Sequence, residues 1–491
     1  MEQLRQETRT TVGITSRLEQ PAWYWAIAVL LVGFYVATSL YIASRRPLWL
    51  DEIFTAICTR RPDLGTLWKL LSESAEQVPV GYFLITRPFD QWFHHADFAL
   101  RVPSALALGV GMGVIFDTVR RLTNGLYGLI ALSFLGTSLA TYYGYEARPY
   151  SLCFMLAAVI LWQWIFTNDD SIGAACAFGT MFFVGVTIHY YFLFCLTPFG
   201  LFALAHRRVF HPKVVAAVAG IAAALAVLYP QVAASRSLVS GSFVSWAEPS
   251  MKGLYSVYLE FFPLALFPLV LIVTGVAFAG RSRQRVVQAM GAGERVGWLF
   301  LTIPIVVYIV ARLVTHFFYN RYMIGTIPGV VVAVSCLCFR YCREAKYLSL
   351  ALLVILGAFG IKQQLFAVGN TAHIPAFGDP AERSGAMISL EDSLLRDGKR
   401  QITVAAGPGA NLLFLESWYY SKHPELYSMV SGVWGLSHYV PLHNQTFEGV
   451  VANARQTALV NPTPEFIEAL EHAGLHVKTR FARPLHVVYL E

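Results

Sequence analysis

Two adjacent acids, Asp51 and Glu52, stand in PLWLDEIF just after the first apolar run, Ala22 to Ala43. Carboxylates kept where a membrane surface begins are costly and usually serve a pathway or a reaction. Here they could take a proton from a hydroxyl, and Asp51 could hold a divalent cation. A solvated pair in the headgroup zone is the plainer alternative. Glu146, Arg148 and Tyr150 form a second constellation, EARPY, at the end of another apolar run. Arg148 could meet an anionic headgroup and Glu146 a sugar hydroxyl or cation, or the two could form a structural salt bridge. His189 sits between two apolar runs, where a hydrogen-bonded interfacial histidine is the simple expectation. A third group comprises Arg312, His316, Asn320, Arg321 and Tyr322. Arg312 and His316 are four apart, so a helix would put them on one face. An arginine fork suits phosphate better than a lysine point charge. Snorkelling of Arg312 and capping of the bundle by Arg321 would also account for them.

The elements that carry these residues are mostly membrane spans. The chain has 491 residues, 56% hydrophobic and only 14% charged, with a mean hydropathy of +0.52. Repeated apolar runs of about 17 to 25 residues in such a composition are transmembrane helices. Eleven candidate spans follow: 22–43, 99–119, 125–143, 149–166, 171–188, 190–205, 214–230, 257–280, 297–314, 322–339 and 347–367. The stretch 171–205 is too long for one helix, and His189-Tyr190-Tyr191 reads as its hairpin. Residues 1–21 read as a cytoplasmic tail with Arg5, Arg9 and Arg17, and the first span as a retained anchor.

With the N-terminus inside, alternate connections become cytoplasmic. Together with the tail they hold fifteen Lys/Arg, as the positive-inside rule expects. Only the acidic Asn168-Asp169-Asp170 turn departs from it. The same parity places Asp51-Glu52, Glu146–Tyr150, His189–Tyr191 and His316–Tyr322 outside, which suggests a cavity opening to the exterior. The net charge of +7 resides in these short clusters and implies anionic lipid, not nucleic acid. Seven cysteines are scattered without a disulfide framework, and Cys336, Cys338 and Cys342 read as small helix packers. The aromatic richness, 34 Phe, 24 Tyr and 11 Trp, is mostly interfacial belt and lipid-facing bulk.

Residues 44–98 form a long first outer loop with two surface helices expected, one after Asp63 and one within Pro79–Phe93. Residues 368–491 change character. Gln401–Val404 reads as a strand running into Gly407-Pro408-Gly409 and a helix through Tyr420, Ala458–Val460 as another strand, Pro464–His472 as a helix and Leu485–Leu490 as a strand. The fold class expected is therefore an all-α polytopic membrane protein, residues 22–367, followed by a small extracytoplasmic α/β domain, 368–491.

Six segments in order resemble the GT-C glycosyltransferases that use polyprenyl-phosphate sugars. They are LWLDE at 48–52, VPVGYF at 78–83, LRVPSAL at 100–106, YEARPY at 145–150, HYYF at 189–192 and NRYMIGTIP at 320–328. The resemblance is to glycosyltransferase family 39, the protein O-mannosyltransferase branch, with the lipid A aminoarabinose transferases and RgtA-like enzymes. It implies a polyprenyl-phosphate-linked sugar donor, a hydroxyl-bearing acceptor and an extracytoplasmic active cavity in a bacterial inner or plasma membrane. It implies Asp51 as principal catalytic acid with Glu52 beside it. It also makes Glu146, Arg148, Tyr150, His189, Arg312, His316, Arg321 and Tyr322 substrate-binding candidates, Arg321 on the donor phosphate. Relatives often carry His-Pro-Pro-Leu-Tyr where this chain has Val78-Pro79-Val80-Gly81-Tyr82, so a role for that histidine is not carried over. A divalent ion, Mg, Mn or Zn, at Asp51 stays open. The implied reaction is inverting transfer to a protein hydroxyl, lipid A or a polysaccharide. A transporter or flippase of lipid-linked saccharides is the competing reading, and it would favour internal repeats and helices broken at midplane.

Overall fold

The structure, a computed structural model, describes residues 21–73, 76–169, 171–208, 210–239, 247–262, 290–343, 346–371, 380–404, 410–430, 443–482 and 485–490. The N-terminal tail, most of the expected span 257–280 and the Gly407-Pro408-Gly409 turn lie outside the described residues. The chain forms two compact units, one from residues up to Ser44 with Gln77–Gly369, the other from Arg45–Glu76 with Asn370–Glu491.

The first unit is helical. Trp23–Arg45, Asp97–Leu122, Ala292–Thr315 and Lys346–Gly369 are long and apolar enough to cross a membrane. Five shorter apolar helices join them: Gly125–Gly136, Tyr150–Phe166, Ile172–Ile188, Tyr190–Ala205 and Thr326–Cys342. The expected span 214–230 is broken: Pro212–Val227 and Tyr229–Ser235 meet at 70°, next to Pro230, whose missing N–H interrupts the helical ladder. The chain is an integral membrane protein.

Small residues let these helices approach closely. A Cβ on Gly220 would lie 2.2 Å from the Gly179 carbonyl oxygen, and one on Gly179 would lie 2.5 Å from that of Ala216. The Ile172–Ile188 and Pro212–Val227 helices thus meet backbone to backbone, the small-residue packing that membranes favour.

Ion pairs cluster at the connections that charge parity assigns to the cytoplasm. Asp117 takes Arg120 and Arg121, each at 2.7 Å, and Arg340 pairs with Glu294. Asp169, the acidic exception, is held by Lys213 at 3.0 Å, His211 at 3.5 Å and Arg208 at 3.6 Å. Burial pushes the Asp169 carboxyl up, but hydrogen bonds and charge from His211 and Lys213 outweigh it and lower its pKa to about 2. Lys213 Nζ also donates to the carbonyls of Gln163 and Thr167, capping the end of the Tyr150–Phe166 helix. The departure from the positive-inside pattern is therefore a carboxylate already neutralised by its neighbours.

The second unit is α/β. Its strands are β1 Gln401–Val404, β2 Tyr427–Val430, β3 His443–Gln445, β4 Thr457–Val460, β5 Val477–Ala482 and β6 Leu485–Leu490, in the order β3-β2-β1-β4-β6-β5. β1, β2, β3 and β4 pair in parallel, with Ile402 opposite Tyr427 and Ala458, while β6 runs antiparallel to both β4 and β5. The strands expected at β1, β4 and β6 and the helices Ala410–Tyr420 and Pro464–His472 are present. β2 shows no alternation: its four residues are all buried, as in a parallel strand covered on both faces. A buried carboxylate ties a helix to this sheet: Glu391, on Pro380–Arg396, accepts from the Ser421 and Tyr427 hydroxyls at 2.6 and 3.0 Å.

Two short helices of the first outer loop belong to this unit. Leu50–Thr59 carries Asp51 and Glu52. Leu64–Ser72 starts at Asp63, whose side chain accepts the Thr66 N–H at 2.8 Å, a standard N-cap. The other loop helix, Val80–Trp92, belongs to the membrane unit.

Candidate active site

Within the membrane unit, four of the sequence motifs come together. YEARPY forms the bend between the short helix Ala140–Tyr143 and Tyr150–Phe166, with Pro149 at the N-cap of the latter. Its fixed φ suits a helix entry. Glu146, Arg148 and Tyr150 are all buried, Glu146 to 1% exposure. The Ser104 hydroxyl, from LRVPSAL, donates to the Arg148 carbonyl at 3.2 Å and so fixes the bend against a second motif. Burial of both a carboxylate and a guanidinium is expensive and is retained where the charges are used.

HYYF supplies the next wall. His189 ends the Ile172–Ile188 helix in extended conformation and caps the following 3-10 turn, its Nδ1 accepting the Tyr191 N–H at 3.3 Å. Its ring centroid lies 5.8 Å from that of Tyr150 and 4.8 Å from that of Tyr322. Tyr150 and Tyr322 themselves stack at 6.2 Å. The Tyr191 hydroxyl donates to the Phe317 carbonyl at 3.0 Å and its ring sits 5.0 Å from Tyr322.

NRYMIGTIP brings the arginine. The Arg321 guanidinium lies 4.6 Å from the ring centre of Tyr319, 5.4 Å from Tyr150 and 5.9 Å from Tyr322. Asn320 anchors the segment by donating to the Ser256 hydroxyl at 3.1 Å. A guanidinium stacked among aromatic rings keeps its edge donors in a fixed plane, the arrangement suited to a tetrahedral oxyanion. Burial, followed by the charges of Arg148 and Arg321, lowers the His189 pKa to about 3. The imidazole is therefore neutral at any working pH, and the cluster's positive charge comes from its two arginines.

Arg312 and His316 lie elsewhere on the same segment. The helix over Thr302–Val310 ends in a π turn, Ala311–Thr315, and His316 caps it in the left-handed region at φ 52°. The one-face relationship expected from their spacing does not arise, because the helix stops between them. Both are exposed, and Arg312 donates to the Pro249 carbonyl at 3.4 Å.

In the second unit, Asp51 and Glu52 occupy the first turn of Leu50–Thr59, where carboxylates favour the helix dipole. They face different surroundings. Glu52 is fully buried and accepts the Trp49 N–H at 3.4 Å, a back-reaching cap. Asp51 is half-buried. Among the described residues no three His, Cys, Asp or Glu side chains converge as metal ligands. The described residues thus do not build a cage for Mg, Mn or Zn.

Arg101 escaped the site expectation. It is fully buried and donates to the Ala43 carbonyl at 3.0 Å. The signal in the sequence is an arginine inside LRVPSAL.

The comparisons agree with this architecture. Residues 77–233 match the family model of dolichyl-phosphate-mannose-protein mannosyltransferase. No curated protein matches the chain. The fold matches the crystal structure of ArnT from Cupriavidus metallidurans in the apo state, with a TM-score of 0.64 at 12% identity over 94% of this chain and 98% of that one. The same protein bound to undecaprenyl phosphate matches with a TM-score of 0.58 at 14% identity over the same shares. The fold is thus that of the GT-C proteins: a helical membrane part with a small C-terminal sheet.

Proposed function

We infer that this chain is an integral-membrane glycosyltransferase that moves a sugar from a polyprenyl-phosphate donor to an extracytoplasmic hydroxyl, with inversion at the anomeric carbon. The carrying observation is the packing of Arg321 over Tyr150 beside buried Arg148 and neutral His189. The match of residues 77–233 to a mannosyltransferase family and the ArnT-like fold support the same assignment.

The chemistry follows from the leaving group. As the sugar C–O bond to phosphate breaks, the polyprenyl phosphate departs with the electron pair and needs charge stabilisation more than a proton. Arg148, buried, and Arg321, held among aromatic rings, meet that need through fixed donors. The acceptor oxygen forms the new bond from the opposite face of the anomeric carbon, and its proton passes to the Asp51 carboxylate. Glu52, buried in its cap, shapes the helix that carries Asp51. The acceptor is a protein hydroxyl, lipid A or a polysaccharide, in a bacterial inner membrane with the N-terminus cytoplasmic and the C-terminal domain outside.

The test is consumption of labelled polyprenyl-phosphate sugars by the purified full-length protein, across donors differing in sugar. Release of polyprenyl phosphate from one donor in the presence of an acceptor is the expected result. A protein that consumes none, and instead moves an intact lipid-linked saccharide across a liposome membrane, would overturn the assignment.

A further inference from the structure

The helix that carries Asp51 is gripped at both ends by a single helix of the C-terminal fold. Tyr420 closes the Ala410–Tyr420 helix, and its hydroxyl accepts the Leu48 N–H at 2.6 Å. Neighbouring Tyr419 accepts from the Arg60 guanidinium at 2.5 Å. Leu48 precedes the first-loop helix and Arg60 is its C-cap. The two tyrosine rings stand nearly perpendicular, at 87° with centroids 5.0 Å apart, so adjacent residues reach opposite ends of one ten-residue helix. Leu48 is completely buried, and a buried N–H that loses its acceptor is left without solvent to replace it.

We propose that Tyr419 and Tyr420 are positioning residues: their hydroxyls fix the Leu50–Thr59 helix in place and thereby set where the Asp51 carboxylate is presented to the acceptor. This rests on the assignment of Asp51 as the base. Adjacency of two side chains whose hydroxyls bracket the helix gives a two-point hold, which restrains both translation along its axis and rotation about it. One-point attachment would leave rotation free, and rotation would swing Asp51 away from its partner atom. The C-terminal fold then contributes to catalysis through geometry, without supplying a reacting group.

The experiment uses the full-length protein in nanodiscs as wild type, Tyr419→Phe, Tyr420→Phe, the double variant, and Tyr419→Phe combined with Arg60→Met. Amide hydrogen exchange is read over residues 48–60 and, as a folding control, over β1 and β4. Donor transfer is read as kcat and donor KM separately. In the double variant, exchange over 48–60 rises and kcat falls, each by about tenfold, while sheet exchange and donor KM stay unchanged. Arg60→Met adds to Tyr419→Phe only what its other contacts contribute, because the bond the two share is already gone. Unchanged kcat in an active enzyme overturns the proposal, whether or not exchange changes. A parallel rise in sheet exchange also overturns it, since the tyrosines would then support the fold at large. A wild type that consumes no donor removes the assignment itself and this proposal with it.

Discussion

Arg321 lies over the ring of Tyr150, its guanidinium carbon 5.4 Å from the ring centre, although the two come from motifs far apart in the chain. Tyr150 starts a helix whose entry is fixed by Pro149 and by the Ser104 bond to Arg148. The arginine is therefore held by a surface that the rest of the membrane unit has already made rigid. That relationship makes the phosphate role proposed for Arg321 specific to a planar, stacking cation.

Arg321→Lys should consequently behave as a severe change. The ammonium keeps the charge but loses both stacking and the donor fork. Donor kcat/KM should fall by roughly 10- to 100-fold, with most of the loss in donor KM, in steady-state transfer assays. Tyr150→Phe keeps the ring and should cost less than Tyr150→Leu, which removes the surface under the guanidinium. Equal effects of the two would contradict the stacking role.

Asp51 and Glu52 should separate when mutated. Glu52→Ala removes the buried cap and should lower thermal stability by about 1 kcal/mol, as other N-terminal cap losses do. Glu52→Gln keeps an acceptor for the Trp49 N–H and should largely restore it. Asp51→Asn, at the half-buried position, should lower the melting temperature less than Glu52→Ala does. Paired melting curves of these variants read the difference directly.

His189 gives a pH prediction with a definite sign. Its native pKa is about 3, whereas an unfolded histidine titrates near 6.5. Between those values the unfolded chain binds the extra proton, so stability is complete above about pH 6.5 and declines as pH falls toward 3. The penalty at pH 5 is about 2 kcal/mol. His189→Asn should flatten the acid side of a plot of Tm against pH, and transfer should show no limb belonging to His189 between pH 5 and 8.

Gly220 tests the helix contact. A methyl group there would meet the Gly179 carbonyl at 2.2 Å, which is backbone and can yield only by separating the helices. Gly220→Ala should destabilise the protein by about 1–3 kcal/mol, read as a lower melting temperature in detergent. Gly113→Ala, at a position with open space around it, is the matched control.

Much of the membrane part was legible because apolar length and charge parity report directly on spans. YEARPY, HYYF and NRYMIGTIP were legible too, since their order along the chain carries the resemblance, and they pack together in the membrane unit. What the sequence concealed was rotation and long-range contact. Asp51 and Glu52 are indistinguishable as neighbours, yet one helical step of about 100° makes one a buried cap and leaves the other half-buried. Arg312 and His316 have helical spacing, but a π turn ending at a left-handed residue cannot be read from three intervening positions. The grip of Tyr419 and Tyr420 on residues 48–60 joins opposite ends of the chain, and no local pattern announces it. β2 was hidden for a different reason, since its four residues are all buried and show no period. Asp169 looked like a violation of charge parity because its partners Lys213 and His211 come from the next connection.

The most direct test is donor turnover by wild type and Asp51→Asn, assayed side by side with a labelled polyprenyl-phosphate sugar and an excess of acceptor. The account predicts release of polyprenyl phosphate by the wild type and a rate lower by about 100-fold or more in the folded variant, the loss of one general base. Undiminished transfer by Asp51→Asn would contradict the role given to that carboxylate.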